Sequence, residues 1–361
     1  TVAAIPEGLP AILTVTLALG VQRMARRSAI IRRLPAVETL GSVSVICTDK
    51  TGTLTRNEMT ARAVTIASGT FDVTGTGYDP HGEFERDGQF TEPAKHPLLV
   101  EFMRAGVLCN DANIRQGEGG QWRVNGDLME GALIVLARKA GIEQEEQTHQ
   151  LPRTDEIPFE SEHRFMATLH HDHEGHATVF LKGAPERVLQ MCDHQRGEEG
   201  DAPLDRDRWL QDIERLTGAG MRVLALAVKP MPEHPAELTF ESVENGLTLL
   251  GLVGLQDPPR EEAIEAVAEC RRAGIRVKMI TGDHAGTARA IAGQLAMENT
   301  RDVLTGADLE QLSEQELYAR VPEVDVYART TPEHKLRLVE TLQRHGLTIA
   351  MTGDGVNDAP A

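Results

Sequence analysis

The sequence predicts an α/β protein in which a parallel, doubly wound sheet is interrupted by a large inserted α+β domain. A short apolar run at 43–47 indicates a buried strand, and further strands are predicted at 275–280, 325–328 and 347–351. Helical patterns alternate with the later strands, which is typical of a parallel sheet whose connections are helices. The interval 60–255 has strands, helices and turns of its own, and it therefore predicts the inserted domain.

Further elements are predicted in order along the chain. Residues 69–87 are rich in glycine and polar side chains, which indicates turns and a hairpin. A helical pattern occupies 97–110, and a second helix ends by Ala140. Strand-end motifs then return with an apolar strand at 249–255, and an amphipathic helix at 261–273 comes next.

Length and composition exclude several classes of protein. A chain of 361 residues is too long for one ordinary domain. The formal net charge of −18 and the aromatic content of 4% argue against a nucleic-acid partner, which needs a basic surface and stacking side chains. The cysteines lie far apart and form no Cys-x-x-Cys pair, so we expect reduced thiols in a cytosolic setting and no metal cage.

One motif follows the first predicted strand directly, at residues 49–55. It consists of Asp-Lys-Thr-Gly-Thr-Leu-Thr, and Asp49 lies where open α/β sheets bind ligands, beyond the carboxyl end of a strand. Gly52 allows the chain to turn and to present backbone amides to an anion. A carboxylate at this position can attack phosphorus and carry the phosphoryl group as an acyl phosphate. The alternative, that Asp49 only caps the next segment, accounts for one residue but not for the whole run.

Three further polar motifs follow strands or open helices later in the chain. Thr281, Gly282 and Asp283 form the first, Lys335 lies in the second, and residues 352–358 consist of Thr-Gly-Asp-Gly-Val-Asn-Asp. Each of these groups alone is explained equally well as a cap or a surface charge. Together, in this order, they favour one shared site at the carboxyl end of the sheet.

The run at 49–55 resembles the phosphorylation motif of the P-type cation-pumping ATPases, whose phosphorylation domain has the haloacid-dehalogenase fold. The resemblance implies that Asp49 accepts the γ-phosphoryl group of ATP, and that Thr281 and Lys335 contact the phosphoryl oxygens. The residues implied in catalysis are Asp49, Lys50, Thr51, Thr281, Gly282, Asp283, Lys335 and Asn357. Those implied in binding Mg²⁺ are Asp49, the carbonyl of Thr51 and Asp354, with Asp358 one step further from the metal.

Thr51 distinguishes two subclasses of the dehalogenase fold. Phosphatases that resemble this chain carry a second aspartate two positions after the nucleophile, where it acts first as an acid and then as a base. A threonine is not such a base, so the acyl phosphate is expected to persist. Persistence suits a pump, because the phosphorylated state of a pump must drive a conformational change.

The insert resembles the nucleotide-binding domain of the same pumps. The residues implied in binding ATP are Glu130, Phe159, Arg164, Lys182, Gly183 and Arg222. Phe159 would offer an aromatic face to adenine, and Arg222 would offer a cation to the phosphates. Leu128 and Met129 depart from the proline and threonine that these pumps often have, which affects only the detail of the pocket.

The first residues predict the end of a transmembrane helix. Residues 11–21 are apolar but shorter than a full span of roughly 20 residues, and the arginines that follow are typical of the cytoplasmic side. The preceding Pro-Glu-Gly-Leu-Pro run frees backbone carbonyls beside the Glu7 carboxylate, a set of donors that suits a hard cation. The run resembles the broken fourth membrane helix of the calcium and sodium/potassium pumps. The alternative is a buried core helix with a solvated basic end.

These observations predict five segments. They are the end of a transmembrane helix at 1–22, a linker at 23–42, the first part of the phosphorylation domain at 43–59, the nucleotide-binding domain at 60–255 and the second part of the phosphorylation domain at 256–361. The chain is expected to be an internal piece of an integral membrane protein, mostly on the cytoplasmic face.

The predicted function is an ATP-driven pump for a hard cation, with Ca²⁺ favoured. ATP, Mg²⁺, the transported cation and the lipid bilayer are its expected partners. The alternatives are a pump of Na⁺/K⁺ or other cation specificity, a soluble phosphatase of the dehalogenase fold, and a nucleotide sensor without turnover.

Overall fold

The protein, described by a computed structural model, folds into two compact units. The described residues are 8–33, 36–117, 120–231 and 237–353. Thr1–Leu54 and Arg260–Ala361 form one unit, which we call the discontinuous unit, and Thr55–Pro259 forms the other, the continuous unit. The boundaries of the five segments remain a prediction.

The first segment of the discontinuous unit leads to the predicted nucleophile. Its elements are α1 (Leu9–Ala25), α2 (Ala36–Leu40) and β1 (Val45–Thr48), and an irregular turn over Lys50–Leu54 follows them. Apolar side chains of α1 are exposed, among them Leu9, Ile12, Leu13, Val15 and Leu19. Within the described part of the chain, no helix combines the length and the apolar composition that crossing a membrane requires. Glu7 lies outside the described residues.

The continuous unit is built around a large, mainly antiparallel sheet. Its elements are β2 (Thr60–Ile66), β3 (Gly69–Val73), β4 (Phe84–Arg86), β5 (Gln89–Thr91), α3 (Pro97–Leu108), β6 (Asn113–Gln116), β7 (Trp122–Asn125), α4 (Leu128–Lys139), α5 (Gln144–Gln150), β8 (Arg153–Ile157), β9 (Phe165–His171), β10 (Ala177–Gly183), α6 (Pro185–Met191), β11 (Cys192–Gly197), β12 (Gly200–Pro203), α7 (Arg206–Gly218), β13 (Arg222–Met231), α8 (Phe240–Val243) and β14 (Leu247–Gln256).

The order of the main strands in this sheet is β5-β4-β3-β2-β14-β13-β10-β9-β8, and β11 joins β14 from the side. Every residue of β14 is buried, and Thr248 and Gln256 are the only polar side chains in this otherwise apolar strand. The strand predicted at 249–255, with which the later strand-end motifs begin, is therefore part of the antiparallel sheet. An apolar run of this length indicates burial on both faces but does not reveal which strands will pair with it.

The second segment of the discontinuous unit alternates helices and strands, as predicted. Its elements are α9 (Glu261–Arg272), β15 (Arg276–Ile280), α10 (Ala285–Gln294), β16 (Val303–Thr305), α11 (Gly306–Gln311), α12 (Glu314–Arg320), β17 (Val326–Ala328), α13 (Pro332–Arg344) and β18 (Ile349–Thr352).

The strands of the discontinuous unit form a parallel sheet in the order β16-β17-β15-β1-β18. Apolar clusters cover both of its faces: Tyr327 packs in one cluster, and its neighbours Val326 and Ala328 pack in the other. This alternation confirms the prediction of a doubly wound parallel sheet. Since β1 lies between β15 and β18, the chain that follows β1 leaves an interior strand of the sheet.

Candidate active site

Asp49 begins the loop that leaves β1, an interior strand of the parallel sheet. The strand β1 runs in register with β18, so that Thr48 is opposite Thr352, and the Asp49 amide donates to the Thr352 carbonyl at 3.1 Å. The side chain of Asp49 is 21% exposed, whereas Cys47 and Thr48 before it are buried. A buried strand thus presents one accessible carboxylate at its carboxyl end.

A lysine from α13 binds this carboxylate. Lys335 Nζ lies 2.8 Å from Asp49 Oδ2, and the lysine side chain is only 6% exposed. The helix begins with a capping box, in which Thr331 and His334 satisfy each other's backbone amides, and Pro332 occupies its first turn. These signals start the helix so that Lys335 lies in its second turn, and the sequence prediction of a helix opening at 331–335 is confirmed.

A second ion pair lies beside the first. Lys50 Nζ is 2.6 Å from Asp283 Oδ2, and the Lys50 side chain is 5% exposed. The Lys50 amide donates to Asp49 Oδ1 at 2.7 Å, so each carboxylate oxygen of Asp49 accepts from a different donor. The predicted residues Asp49, Lys50, Asp283 and Lys335 are therefore brought together.

Thr281 joins the same group through its hydroxyl. The Asp283 amide donates to Thr281 Oγ1 at 3.1 Å, so the hydroxyl accepts from this amide and its own proton can be donated elsewhere. Thr281 is buried, and the neighbouring Gly282 is exposed with no atoms within 4 Å of a built Cβ. The three residues of this loop lie at the carboxyl end of β15, next to β1.

The turn after Asp49 depends on a glycine and on one arginine. Gly52 has a φ of +73°, a conformation that favours glycine. Arg260 donates from its guanidinium to the Gly52 carbonyl at 3.0 Å, and its amide donates to the Leu54 carbonyl at 2.9 Å. The role of Arg260 was not predicted from the sequence. An arginine that follows two prolines gives no indication that it will bind a carbonyl 208 residues earlier.

In the continuous unit, an ion pair links two of the predicted nucleotide contacts. Lys182 Nζ lies 2.6 Å from Glu130 Oε1, and both side chains are largely buried, at 8% and 12% exposure. The ammonium also donates to the Cys109 carbonyl and to Met166 Sδ, the latter at 3.2 Å. Glu130 accepts in addition from the Asp111 amide at 3.0 Å. The pair is thus fixed by α4, by β10 and by the residues after α3.

Gly183 is required by the close approach of a neighbouring chain segment. A Cβ at this position would lie 2.5 Å from the Arg164 carbonyl oxygen and 2.8 Å from the Phe165 Cβ. Arg164 has a φ of +59°, and its carbonyl accepts from the Ala184 amide at 2.9 Å. The structure therefore brings Gly183 and the backbone of Arg164 into contact.

Three of the predicted nucleotide contacts have exposed side chains: Phe159, Arg164 and Arg222. Phe159 is 59% exposed and lies in the connection between β8 and β9. Arg222 begins β13, which pairs with β10 so that Ala225 is opposite Gly183. All three lie at the edge of the sheet where β10 ends and where β9 and β13 begin.

Comparison with known proteins shows which family the chain is similar to. Residues 98–262 match the family described as P-type ATPase, cytoplasmic domain N. The chain is 48% identical over its whole length to the cation-transporting ATPase pma1 of Synechocystis, of which it covers 40%. The chain is therefore similar over its whole length to P-type cation-transporting ATPases, and it spans about two fifths of the length of these relatives.

The proteins that the chain is similar to include some that are named for calcium. The chain is 42% identical to the calcium-transporting ATPase of Bacillus subtilis and covers 41% of it. It is 43% identical to the human calcium-transporting ATPase type 2C member 1 and covers 38% of that protein. In both comparisons the whole of this chain is aligned.

The donor atoms at Asp49 suit a hard divalent cation. The Asp49 carboxylate and the main-chain carbonyl of the exposed Thr51 are oxygen donors, which Mg²⁺ prefers. Asp354, Asn357 and Asp358 lie outside the described residues. Within the described residues, no group of three or more His, Cys, Asp or Glu side chains is arranged to hold a metal.

A buried charged cluster between β15 and β17 was not predicted from the sequence. Lys278 Nζ donates to the Val321 carbonyl at 2.9 Å and to Asp325 Oδ1 at 3.1 Å, and Arg276 Nε lies 2.6 Å from the same oxygen. Asp325 is fully buried. Burial lowers the pKa of Lys278 to about 8, against the opposing effect of Asp325. Lys278 interrupts an apolar strand, which was its one signal in the sequence.

Proposed function

We propose that this chain performs the ATP-dependent chemistry of a cation pump through phosphorylation of Asp49. The observation that carries the proposal is the 2.8 Å ion pair between Lys335 and Asp49 at the carboxyl end of β1. A carboxylate held beside a buried ammonium is oriented for attack, and the ammonium remains to neutralise the charge that develops on the phosphoryl group.

In the proposed step, a carboxylate oxygen of Asp49 forms a bond to the γ-phosphorus of ATP. The bond between this phosphorus and the β,γ-bridging oxygen breaks, and ADP leaves with the electron pair. Lys335 faces the developing charge, and the Thr281 hydroxyl donates a hydrogen bond to a phosphoryl oxygen. Lys50 holds Asp283, and Arg260 holds the turn at Gly52, so both keep the loop in position.

Mg²⁺ would be held by the Asp49 carboxylate, the Thr51 carbonyl and Asp354, with Asp358 one step further away. When bound, it supplies a Lewis acid that neutralises charge on the transferring phosphoryl group. Thr51 offers no carboxylate that could activate water, and this favours an acyl phosphate that persists over one that is hydrolysed at once.

ATP would be recognised by the continuous unit through Glu130, Phe159, Arg164, Lys182, Gly183 and Arg222. Phe159 has an exposed ring for adenine, and Lys182 is a buried cation at the end of β10. We further propose Ca²⁺ as the transported cation, with Glu7 as one of its ligands and the lipid bilayer as the setting. This choice is supported by the names of two relatives and by the resemblance of the Pro-Glu-Gly-Leu-Pro run.

The proposal is tested by incubating the full-length protein with γ-labelled ATP and Mg²⁺. We expect a label that is stable to acid and released by hydroxylamine, as an acyl phosphate requires. Asp49→Asn should abolish the label, and Lys335→Met should slow its formation by on the order of a thousandfold. Lys229→Met serves as the matched control, because Lys229 caps carbonyls at Ser242 and Asn245 and should leave labelling unchanged.

The rival functions give different results in the same experiment. A phosphatase of this fold would release phosphate without accumulating label, and a nucleotide sensor would bind ATP without labelling. Labelling of the Asp49→Asn variant at the wild-type level would contradict the proposal.

A further inference from the structure

Thr330 connects two parts of the candidate active site that are distant in sequence. Its hydroxyl donates to the Thr281 carbonyl at 3.0 Å, and its backbone amide donates to the same carbonyl at 3.1 Å. Thr331, the next residue, is the N-cap of α13, the helix that carries Lys335. One residue therefore links the loop of Thr281 to the start of the lysine helix.

Neighbouring bonds reinforce this link. The Arg329 amide donates to the Asp283 carbonyl at 2.9 Å, and the Thr281 amide donates to the Tyr327 carbonyl at 2.9 Å. With the Lys335–Asp49 and Lys50–Asp283 ion pairs, these bonds close a ring that contains the four charged residues of those pairs. In this ring, the Thr330 hydroxyl is a side-chain donor, and the atom that accepts its hydrogen bond is the main-chain carbonyl oxygen of Thr281.

The backbone before Thr330 is held in an unusual conformation. Arg329 has a φ of +49°, a left-handed conformation that is unfavourable for a residue with a side chain and persists only where the surroundings enforce it. A Cβ on Gly306 would lie 2.3 Å from the Arg329 carbonyl oxygen, so α11 packs directly against this turn. The turn at 329–330 is thus tightly determined by its neighbours.

We propose that Thr330 is a positioning residue for phosphoryl transfer, since its hydroxyl and amide together fix Thr281 relative to Lys335. Both groups would contact the same phosphoryl group, so a change in their separation would lower the stabilisation of the transition state. Nucleotide binding is not expected to change, because the groups proposed to bind adenine belong to the continuous unit. The inference rests on the proposed phosphorylation of Asp49.

The experiment uses the full-length protein and compares Thr330→Val with Thr330→Ser. Valine keeps the shape and the amide but removes the hydroxyl donor. We expect the rate of acyl-phosphate formation at saturating ATP to fall about tenfold, which corresponds to about 1.4 kcal/mol of lost transition-state stabilisation, with half-saturation by ATP unchanged. Thr330→Ser should restore the rate to within about twofold of the wild type.

Thr341→Val provides the matched control in the same helix. Thr341 is buried, and its hydroxyl donates to the Arg337 carbonyl at 2.7 Å, one turn earlier in α13. Its replacement removes a comparable bond away from Asp49 and should leave the rate of labelling at the wild-type value. If Thr330→Val does not fold, as judged by its ATP binding and thermal unfolding, Thr330→Ala takes its place.

Three results would overturn the inference while leaving the proposed function intact. The first is labelling of Thr330→Val at the wild-type rate, and the second is a failure of serine to restore a slowed rate. The third is a change that appears in half-saturation by ATP and not in the maximal rate. If the wild-type protein acquires no hydroxylamine-labile label, the proposed function fails and the inference fails with it.

Discussion

The two carboxylate oxygens of Asp49 accept hydrogen bonds from different donors, one from a backbone amide and the other from a buried ammonium. The Lys50 amide binds Oδ1 and Lys335 binds Oδ2, so the carboxylate has a defined orientation before any substrate is present. An oriented nucleophile needs less reorganisation during attack than a freely rotating one. The residue type and its place after a strand were evident in the sequence, but its two donors were identified only from the folded chain.

Gly183 lies in the predicted nucleotide pocket, where the absence of a Cβ allows the backbone of Arg164 and Phe165 to approach closely. We expect Gly183→Ala to lower the free energy of unfolding of the continuous unit by about 1–3 kcal/mol, because the added Cβ would overlap the backbone of Arg164 and Phe165. The affinity for ATP should fall as well, since Lys182 precedes this position. Urea unfolding monitored by tryptophan fluorescence measures the first effect, because Trp122 and Trp209 both belong to the continuous unit.

Gly218→Ala is the control for this substitution. Gly218 ends α7, and a Cβ there would meet no atom within 4 Å. Alanine at this position should leave stability unchanged or raise it by up to about 1 kcal/mol. Equal unfolding midpoints for Gly183→Ala and the wild type would contradict the assigned role of Gly183.

At the scale of single elements, β15 carries a buried charge that the strand pattern alone would not favour. The Lys278 ammonium donates to the carbonyl of Val321, directly after α12, and to the carboxylate of Asp325, which precedes β17. Arg276, on the same strand, contacts the same Oδ1 of Asp325 through Nε and donates to Oδ2 from its second guanidinium nitrogen. The pair of cations holds β15 and β17 together just before the Thr281 loop, and it explains why a lysine is tolerated in the core.

The low pKa of Lys278 predicts a pH dependence of stability. Its pKa is about 8 when folded and 10.5 in its ordinary state, so between these values the unfolded chain holds a proton that the folded chain has lost. Stability rises with pH wherever the unfolded state binds more protons. Relative to Lys278→Met, the wild type should therefore gain stability between pH 8 and pH 10.5, by at most about 1.4 kcal/mol per pH unit.

Chemical unfolding of both proteins at several pH values measures this difference. Below pH 8 the two profiles should run parallel, because Lys278 is then protonated in both the folded and the unfolded state. Parallel profiles across the whole alkaline range would show that the buried lysine keeps its ordinary pKa.

The whole molecule consists of one continuous and one discontinuous unit, and the two should differ in their ability to fold alone. The residues 55–259 contain complete apolar clusters and every strand of their sheet. The residues 260–361 lack β1, which lies between β15 and β18, so without it these two strands lose their shared neighbour.

We therefore expect residues 55–259, expressed alone, to unfold cooperatively with a tryptophan-monitored midpoint close to that of the full chain. Residues 260–361 alone should lack a cooperative transition. Circular dichroism and hydrogen exchange of the two pieces test this expectation. A cooperative transition in the second piece would show that β1 is dispensable for the parallel sheet.

Much of the architecture and of the candidate site was predictable because it depends on local signals. Alternating apolar strands and amphipathic helices indicated the doubly wound sheet, and polar motifs after strands indicated which residues would meet at its carboxyl end. Lys335 and Thr281 were predicted for this reason, although 54 residues separate them. The limits of the strands were less predictable: the first begins at Val45 and not at residue 43.

Only the tertiary structure decided the contacts that hold the site together. Arg260, Thr330 and Lys278 act on carbonyl oxygens, which every residue possesses, so no sequence pattern distinguishes their partners. The assignment of β14 to the antiparallel sheet was likewise decided by long-range pairing, because an apolar strand buried on both faces has the same composition in either sheet. The sequence by itself determined which chemical groups are available and in what order, and the long-range hydrogen bonds determined which of them meet.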